Sequence, residues 1–203
     1  MTQPPRLSER TFHTDPLQQF RRWFRAVERA GVAEPNAMTL ATATPAGRPS
    51  ARMVLLKGVD QRGFLFFTNY ESGKARELAS NPHAALVFYW NAVHRQVRIT
   101  GGVTKLPAAE SDAYFATRPR ESRLAALASR QSAVIQSRTI LESRYAGLAA
   151  QYPNEAPPRP INWGGYCVHP DEIEFWQQAP HRLHDRLCYR KHRGAWILER
   201  LSP

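Results

Sequence analysis

Apolar residues recur at helical spacing near the start of the chain. Asp15 and Pro16 open the segment 15–31, DPLQQFRRWFRAVERAG, with a residue type that caps helices and one suited to the first helical turn. The apolar residues that follow are spaced so that they would lie on one side of a helix: Leu17, Phe20, Trp23, Phe24 and Val27. This pattern predicts an amphipathic helix that ends at Gly31.

Short segments rich in β-branched and aromatic residues follow this helix. Turn-forming stretches such as PAGRP, DQRG and NPH separate them, as is typical of strands. The stretch ESGKARELAS between two of them predicts one short helix. The predicted strands are 37–44, 50–59, 63–69, 84–90 and 95–106.

The pattern changes back to helical spacing over residues 107–150, which predict two or three helices. A proline-rich connector, YPNEAPPRPIN, comes next, and the chain ends in three further predicted strands. These are GYCVHPDEIEFW, RLHDRLCYRK and GAWILERL. Strands, an inserted group of helices and further strands favour an α+β domain built round an antiparallel barrel or sheet.

Composition indicates a globular protein. With 203 residues, a mass of 23.1 kDa and 42% hydrophobic residues, the chain suits one domain. We expect residues 1–14 to be a flexible N-terminal segment and 15–203 to form that domain. No apolar run approaches the roughly 20 residues of a membrane span, and the N-terminus lacks the apolar core of a signal peptide. The two cysteines are too few for a disulfide framework and fit a reduced, cytoplasmic setting.

The chain is strongly basic, with 28 Lys+Arg, 17 Asp+Glu and a formal net charge of +11. Such an excess favours anionic partners: nucleic acid, an acidic surface or phosphorylated small molecules. The basic residues are dispersed and form no run of five or more. Nucleic acid is therefore the weaker alternative, and we expect no nucleic-acid or membrane partner.

The stretch APHRLHDRLCYRK, residues 179–191, permits three interpretations. As a helix it would place His181, His184, Asp185 and Cys188 on one face that could ligate a metal. As a strand it would place Arg182, His184 and Arg186 on one face, and as plain charge it would be a basic patch. Because the flanking EIEFW and AWILERL are predicted strands, the strand is favoured and no metal site is expected.

Several common chemistries have no motif in the sequence. The glycine-rich nucleotide loops G-x-G-x-x-G and G-x-x-x-x-G-K-[ST] are absent, as are the G-x-S-x-G elbow and H-E-x-x-H. Neither cysteine has a hydrolase signature around it. These absences leave the dispersed basic and hydroxyl groups as the candidate chemistry.

Three segments could bind anions, and each has an ordinary structural alternative. RMVLLKG has cations at both ends of an apolar strand, which could reach a phosphate or simply lie at the surface. TNYESGKARE is a strand-to-helix junction that could cradle an anion or form a solvated turn. YFATRPRES could project hydroxyl and guanidinium groups together or be a solvated helix end. The residues concerned are Arg52, Lys57, Thr68, Ser72, Lys74, Tyr114, Arg118 and Ser122.

These segments occur in an order that resembles one enzyme family. RMVLLKG, FFTNYESGKA, the RQV strand, YFATRPRES, SRQS, WGGY, EFWQ and RLHDR follow one another along the chain. Together they resemble the pyridoxamine 5'-phosphate oxidase family, FMN enzymes with an antiparallel split β-barrel and peripheral helices. The resemblance runs from about residue 15 to the final ERLSP, and EFWQ…HRLHDR and RMVLLK are its most specific parts.

The resemblance implies a homodimer with FMN held at the subunit interface. The implied FMN contacts are Arg52, Met53, Val54, Leu55, Leu56, Lys57, Phe67, Thr68, Lys74, Gln96, Gln131, Ser132, Trp176 and Arg186. It further implies that the substrate phosphate is bound by Lys57, Tyr114, Arg118 and Ser122, with Arg182 and His184 as catalytic residues facing the pyridine ring.

The implied reaction is the oxidation of pyridoxamine or pyridoxine 5'-phosphate to pyridoxal 5'-phosphate. Molecular oxygen accepts the electrons by way of the flavin and leaves as hydrogen peroxide, and the amine substrate also loses ammonia. Under this interpretation the flavin carries the difficult chemistry, while Arg182 and His184 align the substrate without acting as strong bases.

Two features depart from the family's usual pattern, the N-terminal segment and residue 73. The N-terminal R-R-x-Y segment that closes over the substrate is missing, although Arg6 or Arg10 could substitute for it. Gly73 stands where many members carry a second basic residue, and Glu34 lies where a carboxylate often occurs near the site. Two alternatives therefore stay open: an oxidase of the phenazine-biosynthesis type, and a flavin- or pyridoxal-phosphate-binding protein without turnover.

Overall fold

The computed structural model describes residues 6–153, 155 and 157–203. Five α-helices lie in these residues: α1 (Pro16–Arg29), α2 (Gly73–Ser80), α3 (Ala108–Thr117), α4 (Arg120–Ala128) and α5 (Arg138–Gln151). Nine strands accompany them: β1 (Ala37–Ala43), β2 (Pro49–Leu55), β3 (Gly58–Val59), β4 (Phe64–Asn69), β5 (His83–Trp90), β6 (Arg95–Lys105), β7 (Trp163–Gln177), β8 (Asp185–His192) and β9 (Ala195–Arg200).

All nine strands belong to one antiparallel sheet. The strand order is β2-β1-β5-β6-β7-β4-β3, and β8 pairs with β7 on one side and with β9 on the other. β7 is the longest strand, with 15 residues. Its first residues pair with β4 and its last residues with β8, while β6 pairs along nearly its whole length. This is the α+β architecture that we expected, an antiparallel split β-barrel with peripheral helices.

Helix α1 covers one side of the sheet with the apolar residues that predicted it. The carboxylate of Asp15 accepts a hydrogen bond from the Leu17 amide at 2.8 Å and so caps the first turn. Phe20 packs against Phe64 and Phe88, with ring centroids 4.9 and 5.1 Å away. Burying each such ring stabilises the fold by about 1.5–3 kcal/mol.

The sheet has an inner face and an outer face, because successive residues of a strand point to opposite sides. Leu40, Leu86, Ile99 and Ile173 lie opposite one another on the inner face and are fully buried. The outer face of β2 and β5 exposes large apolar side chains: Met53 at 63%, Leu55 at 40% and Tyr89 at 56%. One side of the sheet is therefore a core and the other has an apolar surface.

The residues just before α1 contact the sheet and its last strands. Leu7 is buried, and its amide donates to the Asp185 carboxylate at 3.1 Å. The Phe12 ring lies 5.5 Å from that of Phe175, and Arg200 forms an ion pair with Glu9. Residues 6–14 thus contact the domain that we expected to begin at residue 15. Residues 1–5 lie outside the described residues.

The helices and most of the strands agree closely with the prediction. Residues 107–150 form three helices, and the proline-rich connector is a loop in the residues described. The strand expected over 50–59 is interrupted at Leu56 and Lys57, which separate β2 from β3. None of the described helices has the length and apolar character that crossing a membrane would require.

Candidate functional site

Lys74 is the centre of a polar group that we call the inner cluster: Thr68, Ser72, Lys74, Gln131 and Ser132. Its ammonium donates to Gln131 Oε1 at 2.8 Å, Thr68 Oγ1 at 3.2 Å and Ser72 Oγ at 3.4 Å. Thr68 lies at the end of β4, and Ser72 caps α2 by accepting from the Ala75 amide. The strand-to-helix junction therefore brings these groups together, as the sequence suggested.

The ammonium of Lys74 is a buried cation whose hydrogen-bond partners are neutral. The residue is 9% exposed, and burial is the main cause that lowers its pKa. The positive charge of Arg52 lowers the pKa further, while the carboxylate of Glu77 opposes this effect. A desolvated cation near a second cation favours an anion as ligand.

Arg52 lies beside the inner cluster and is held by residues that sequence analysis missed. Its guanidinium donates to Thr42 Oγ1 at 2.5 Å, to Ser50 Oγ at 2.5 Å and to the Glu77 carboxylate at 3.4 Å. Glu77 also accepts hydrogen bonds from the hydroxyls of Ser50 and Thr42, which with Arg52 keep its pKa below the ordinary value. One sequence signal was available, because Glu77 follows Lys74 by one helical turn.

The loop between α4 and α5 brings Gln131 and Ser132 to this cluster. Ser132 has a φ of +69°, a backbone conformation that few residues other than glycine adopt. Its hydroxyl accepts from the Gly73 amide at 3.2 Å. A Cβ atom at Gly73 would meet only that hydroxyl, at 3.9 Å, so the glycine is not required by a close contact at this atom.

A second cationic position lies where α3 ends and α4 begins. Phe67, the neighbour of Thr68, stacks on Tyr114 with ring centroids 3.9 Å apart. The Arg118 guanidinium lies 4.7 Å from the centroid of Trp163, and its buried Nη1 has no hydrogen-bond partner among the described residues. Burial lowers the pKa of Arg118. Ser122 is half-buried one turn further on.

The run Arg52–Lys57 does not face one ligand with its side chains. Arg52 and Val54 point to the inner face, whereas Met53 and Leu55 point to the outer face. Leu56 is buried, and exposed Lys57 lines a cleft of about 480 Å³ between α1 and the β2–β3 connection. A molecule on one side of β2 can therefore contact the side chains of alternate residues in this run, together with its backbone.

A separate group that we call the outer row lies on the outer face: Gln96, Trp176 and Arg186. They stand directly opposite one another on β6, β7 and β8. Arg186 forms a bidentate ion pair with Glu174, at 2.8 and 3.0 Å, and these hydrogen bonds raise its pKa. Glu174 is 3% exposed and was not singled out from the sequence.

The strand predicted over 182–191 is wrong at its start. β8 begins at Asp185, and Pro180–Arg182 forms a short 3-10 turn. His181 and Arg182 have φ values of +55° and +61°, so they cannot continue an extended strand. Arg182 and His184 therefore do not share a strand face with Arg186. The turn and strand equally exclude the helical metal face.

His184 has a defined environment all the same. Its ring centroid lies 4.7 Å from that of Trp176, and the Ala179 amide donates to its Nδ1 at 3.2 Å. Because an amide N–H only donates, the neutral ring carries its proton on Nε2. Arg182 is exposed in the turn beside it.

The inner cluster and the outer row lie at opposite ends of β7. Thr68 pairs with Gly164, near the first residue of β7, whereas Trp176 is its penultimate residue. Twelve residues of extended strand correspond to a contour of roughly 40 Å. One chain thus presents the predicted FMN residues as two separate groups.

The chain matches two protein-family models, which together cover most of its length. A model described as pyridoxamine 5'-phosphate oxidase matches residues 24–152. A second, described as the pyridoxine 5'-phosphate oxidase C-terminal dimerisation region, matches residues 163–203. The chain belongs to the pyridoxamine 5'-phosphate oxidase family.

Relatives named pyridoxine/pyridoxamine 5'-phosphate oxidase are similar over nearly the whole chain. The protein of Gloeothece citriformis is 57% identical over 198 residues, which cover 97% of this chain and 92% of the relative. That of Paraburkholderia phymatum is 60% identical over 190 residues, covering 93% and 89%. The similarity spans both the inner cluster and the outer row of this family member.

Solved structures support the same fold. PhzG from Burkholderia lata, in complex with tetrahydrophenazine-1-carboxylic acid, matches with a TM-score of 0.93 and 34% identity over 97% of this chain and 98% of that one. A pyridoxamine 5'-phosphate oxidase-related, FMN binding protein from Nostoc punctiforme matches with a TM-score of 0.75 over 95% and 100%. At 18% identity the latter indicates the fold alone.

Proposed function

We propose that this protein is an FMN-dependent oxidase that converts pyridoxamine or pyridoxine 5'-phosphate to pyridoxal 5'-phosphate with O₂ and releases hydrogen peroxide. One observation carries the proposal. Lys74 is buried and Arg118 has a buried Nη1, and neither cation donates to a carboxylate among the described residues. Two cations held in this way fit two anionic groups, the phosphate of a cofactor and that of a substrate.

The inner cluster has the properties that a flavin phosphate requires. Lys74 would supply a desolvated charge, and Arg52 a guanidinium fixed by Glu77. The hydroxyl of Ser132 and the amide of Gln131 would add neutral hydrogen bonds in the same place. Bound FMN would supply the two-electron acceptor for the substrate and the means of reducing O₂.

The substrate phosphate would contact Arg118, Tyr114, Ser122 and Lys57. Arg118 is suited to it because its Nη1 is buried and unbonded among the described residues. The guanidinium carbon also lies over the Trp163 ring, 4.7 Å from its centroid, and a guanidinium can bind a phosphate through two N–H groups at once. Tyr114, stacked on Phe67, would form a wall that orients the ligand and excludes water.

Arg182 and His184 would align the other end of the substrate. The Arg182 guanidinium can hold an amine or hydroxyl through directed hydrogen bonds. His184, with its Nδ1 occupied by the Ala179 amide, would offer Nε2–H to the pyridine ring. This fixed tautomer supports an orienting role for His184 over proton abstraction.

The complete site would need a second copy of the chain. The outer row and His184 lie at the far end of β7 from the inner cluster, so one copy would contribute each group. The exposed apolar residues of the outer face, Met53, Leu55 and Tyr89, support a subunit contact there. The family model over residues 163–203 is itself described as a dimerisation region.

A second candidate is an oxidase acting on a phenazine precursor. The similarity to PhzG from Burkholderia lata favours it. A carboxylate could occupy the Arg118 position in that case, so substrate chemistry decides between the two candidates.

The proposal is tested by isolating the protein and recording its absorption spectrum. We expect bound FMN, and formation of pyridoxal 5'-phosphate and peroxide from the phosphorylated substrates but not from unphosphorylated pyridoxine. Arg182→Ala should lower turnover far more than FMN affinity. A yellow protein that forms neither product would contradict the oxidase, and a protein that cannot be reconstituted with FMN would contradict flavin binding as well.

A further inference from the structure

Glu174 is a buried carboxylate bound by two arginines. Its Oε1 accepts from Arg186 Nε at 2.8 Å, and its Oε2 accepts from Arg186 Nη2 at 3.0 Å and from Arg98 Nη1 at 3.3 Å. At 3% exposure the carboxylate is desolvated, whereas Arg98 and Arg186 retain partial exposure. Paired and planar contacts of this kind fix orientation as well as charge.

The register explains why Arg186 depends on Glu174. Arg186 stands opposite Trp176, and Glu174 lies two residues earlier on the same strand face. The guanidinium therefore reaches diagonally across β7 and β8, and its Nη1 donates to the Ser202 carbonyl at 2.8 Å. All three nitrogens are engaged, which leaves two of the five N–H groups for a ligand.

We infer that Glu174 is a positioning residue for FMN: it aims the free N–H groups of Arg186 at the flavin beside Trp176 and offsets the positive charge of that guanidinium. The inference rests on the proposed function, because it takes the outer row as a flavin contact. Without the carboxylate, Arg186 would lose its orientation and leave an uncompensated charge near the flavin ring. Such a charge stabilises the reduced, more negative flavin.

The experiment compares Glu174→Gln with Glu172→Gln in the flavin-free protein reconstituted with FMN. Glu172 lies on the same strand face and pairs with Arg190 at 2.8 Å, so its variant breaks a similar ion pair that does not involve Arg186. We expect Glu174→Gln to weaken FMN binding about tenfold or more, as for the loss of a charged hydrogen bond. Its flavin reduction potential should also shift to more positive values, while Glu172→Gln stays within about twofold of the wild type in affinity and keeps the wild-type potential.

Glu174→Asp provides a second variant in case the glutamine variant does not fold. The aspartate keeps the charge but is too short for the same bidentate contact, so we expect weaker FMN binding with a smaller change in potential. Wild-type affinity and potential in either folded Glu174 variant would overturn the inference and leave the proposed function intact. Equal effects of the Glu174 and Glu172 variants would also overturn it. A wild-type protein that binds no FMN would instead overturn the proposed function together with this inference.

Discussion

The cation of the inner cluster and that of the outer row have different kinds of hydrogen-bond partner. In the inner cluster the ammonium of Lys74 is desolvated and its hydrogen bonds go to neutral groups. In the outer row the guanidinium of Arg186 is paired bidentately with a buried carboxylate. Both contain residues that the family resemblance assigns to FMN, so the difference concerns what each group contributes to binding.

A buried cation without a carboxylate partner and a cation paired with one should contribute differently to the binding of an anionic ligand. Burial of Lys74 without a counter-ion costs stability in the free protein, and an anion offsets that cost on binding. Arg186 is already paired with Glu174, which also binds Arg98, so under the proposed function it would contribute direction more than charge. The comparison predicts that affinity depends mainly on the inner cluster, and alignment on the outer row.

Replacement of the inner cation should have the largest effect. We expect Lys74→Met to weaken FMN binding about 10–100-fold, because a hydrogen bond to a charged group contributes about 1.5–3 kcal/mol. Fluorescence titration of the flavin-free protein measures the change. Since the substitution also removes a desolvated charge, the free protein should be at least as stable to urea as the wild type. Unchanged affinity, or a large loss of stability, would contradict the inner cluster as the phosphate site.

A charge introduced on the outer face should dissociate the proposed dimer and so separate the inner cluster of one copy from the outer row of the other. We expect Met53→Glu to weaken the dimer at least about tenfold, because a carboxylate would lose its hydration at the contact. Sedimentation measures the dissociation, and FMN affinity should fall at protein concentrations where the monomer dominates. Ile161→Glu is the control, since Ile161 is exposed in the loop before β7. A Met53→Glu protein that stays dimeric and binds FMN normally would argue that one chain holds the complete site.

Sequence pattern predicted the elements well because their signals are local. The apolar residues of α1 and the alternating strands β4 and β5 all lie within single elements. The start of β8 was missed for the opposite reason. His181 and Arg182 adopt left-handed backbone conformations that neither residue type signals, while the alternation of the following residues imitates a longer strand.

The carboxylates of Glu77 and Glu174 could not be recognised as part of the site from composition. Glutamate is usually exposed, whereas Glu174 is buried and Glu77 half-buried, and both are held by partners that folding brings from elsewhere. For Glu174 the partner is twelve residues away across the β7–β8 connection. Only the paired register of the hairpin reveals that contact, and it was not available from the pattern alone.

The substrate-side cation should affect catalysis without affecting the flavin. We expect Arg118→Gln to raise KM for the phosphorylated substrate about tenfold, with FMN affinity within about twofold of the wild type. The substitution removes the charged hydrogen bond that Arg118 Nη1 would donate to the substrate phosphate. Arg144→Gln, at an exposed position of α5, is the control. A parallel loss of FMN affinity would mean that Arg118 belongs to the cofactor phosphate, and the two anion positions would reduce to one.

The pH dependence of stability gives the smallest and most specific test of the inner cluster. The folded pKa of Lys74 is lowered from 10.5 mainly by burial, so between the folded and unfolded pKa values the unfolded chain binds more protons. Stability of the flavin-free wild type should therefore rise with pH in that window relative to Lys74→Met, which has no titrating group there. Urea denaturation of both proteins from pH 7 to 10 measures the difference, and the stability advantage of the methionine variant should shrink as pH rises. A constant difference would mean that the ammonium of Lys74 is compensated in the free protein, as the guanidinium of Arg186 is, and the contrast between the two groups would disappear.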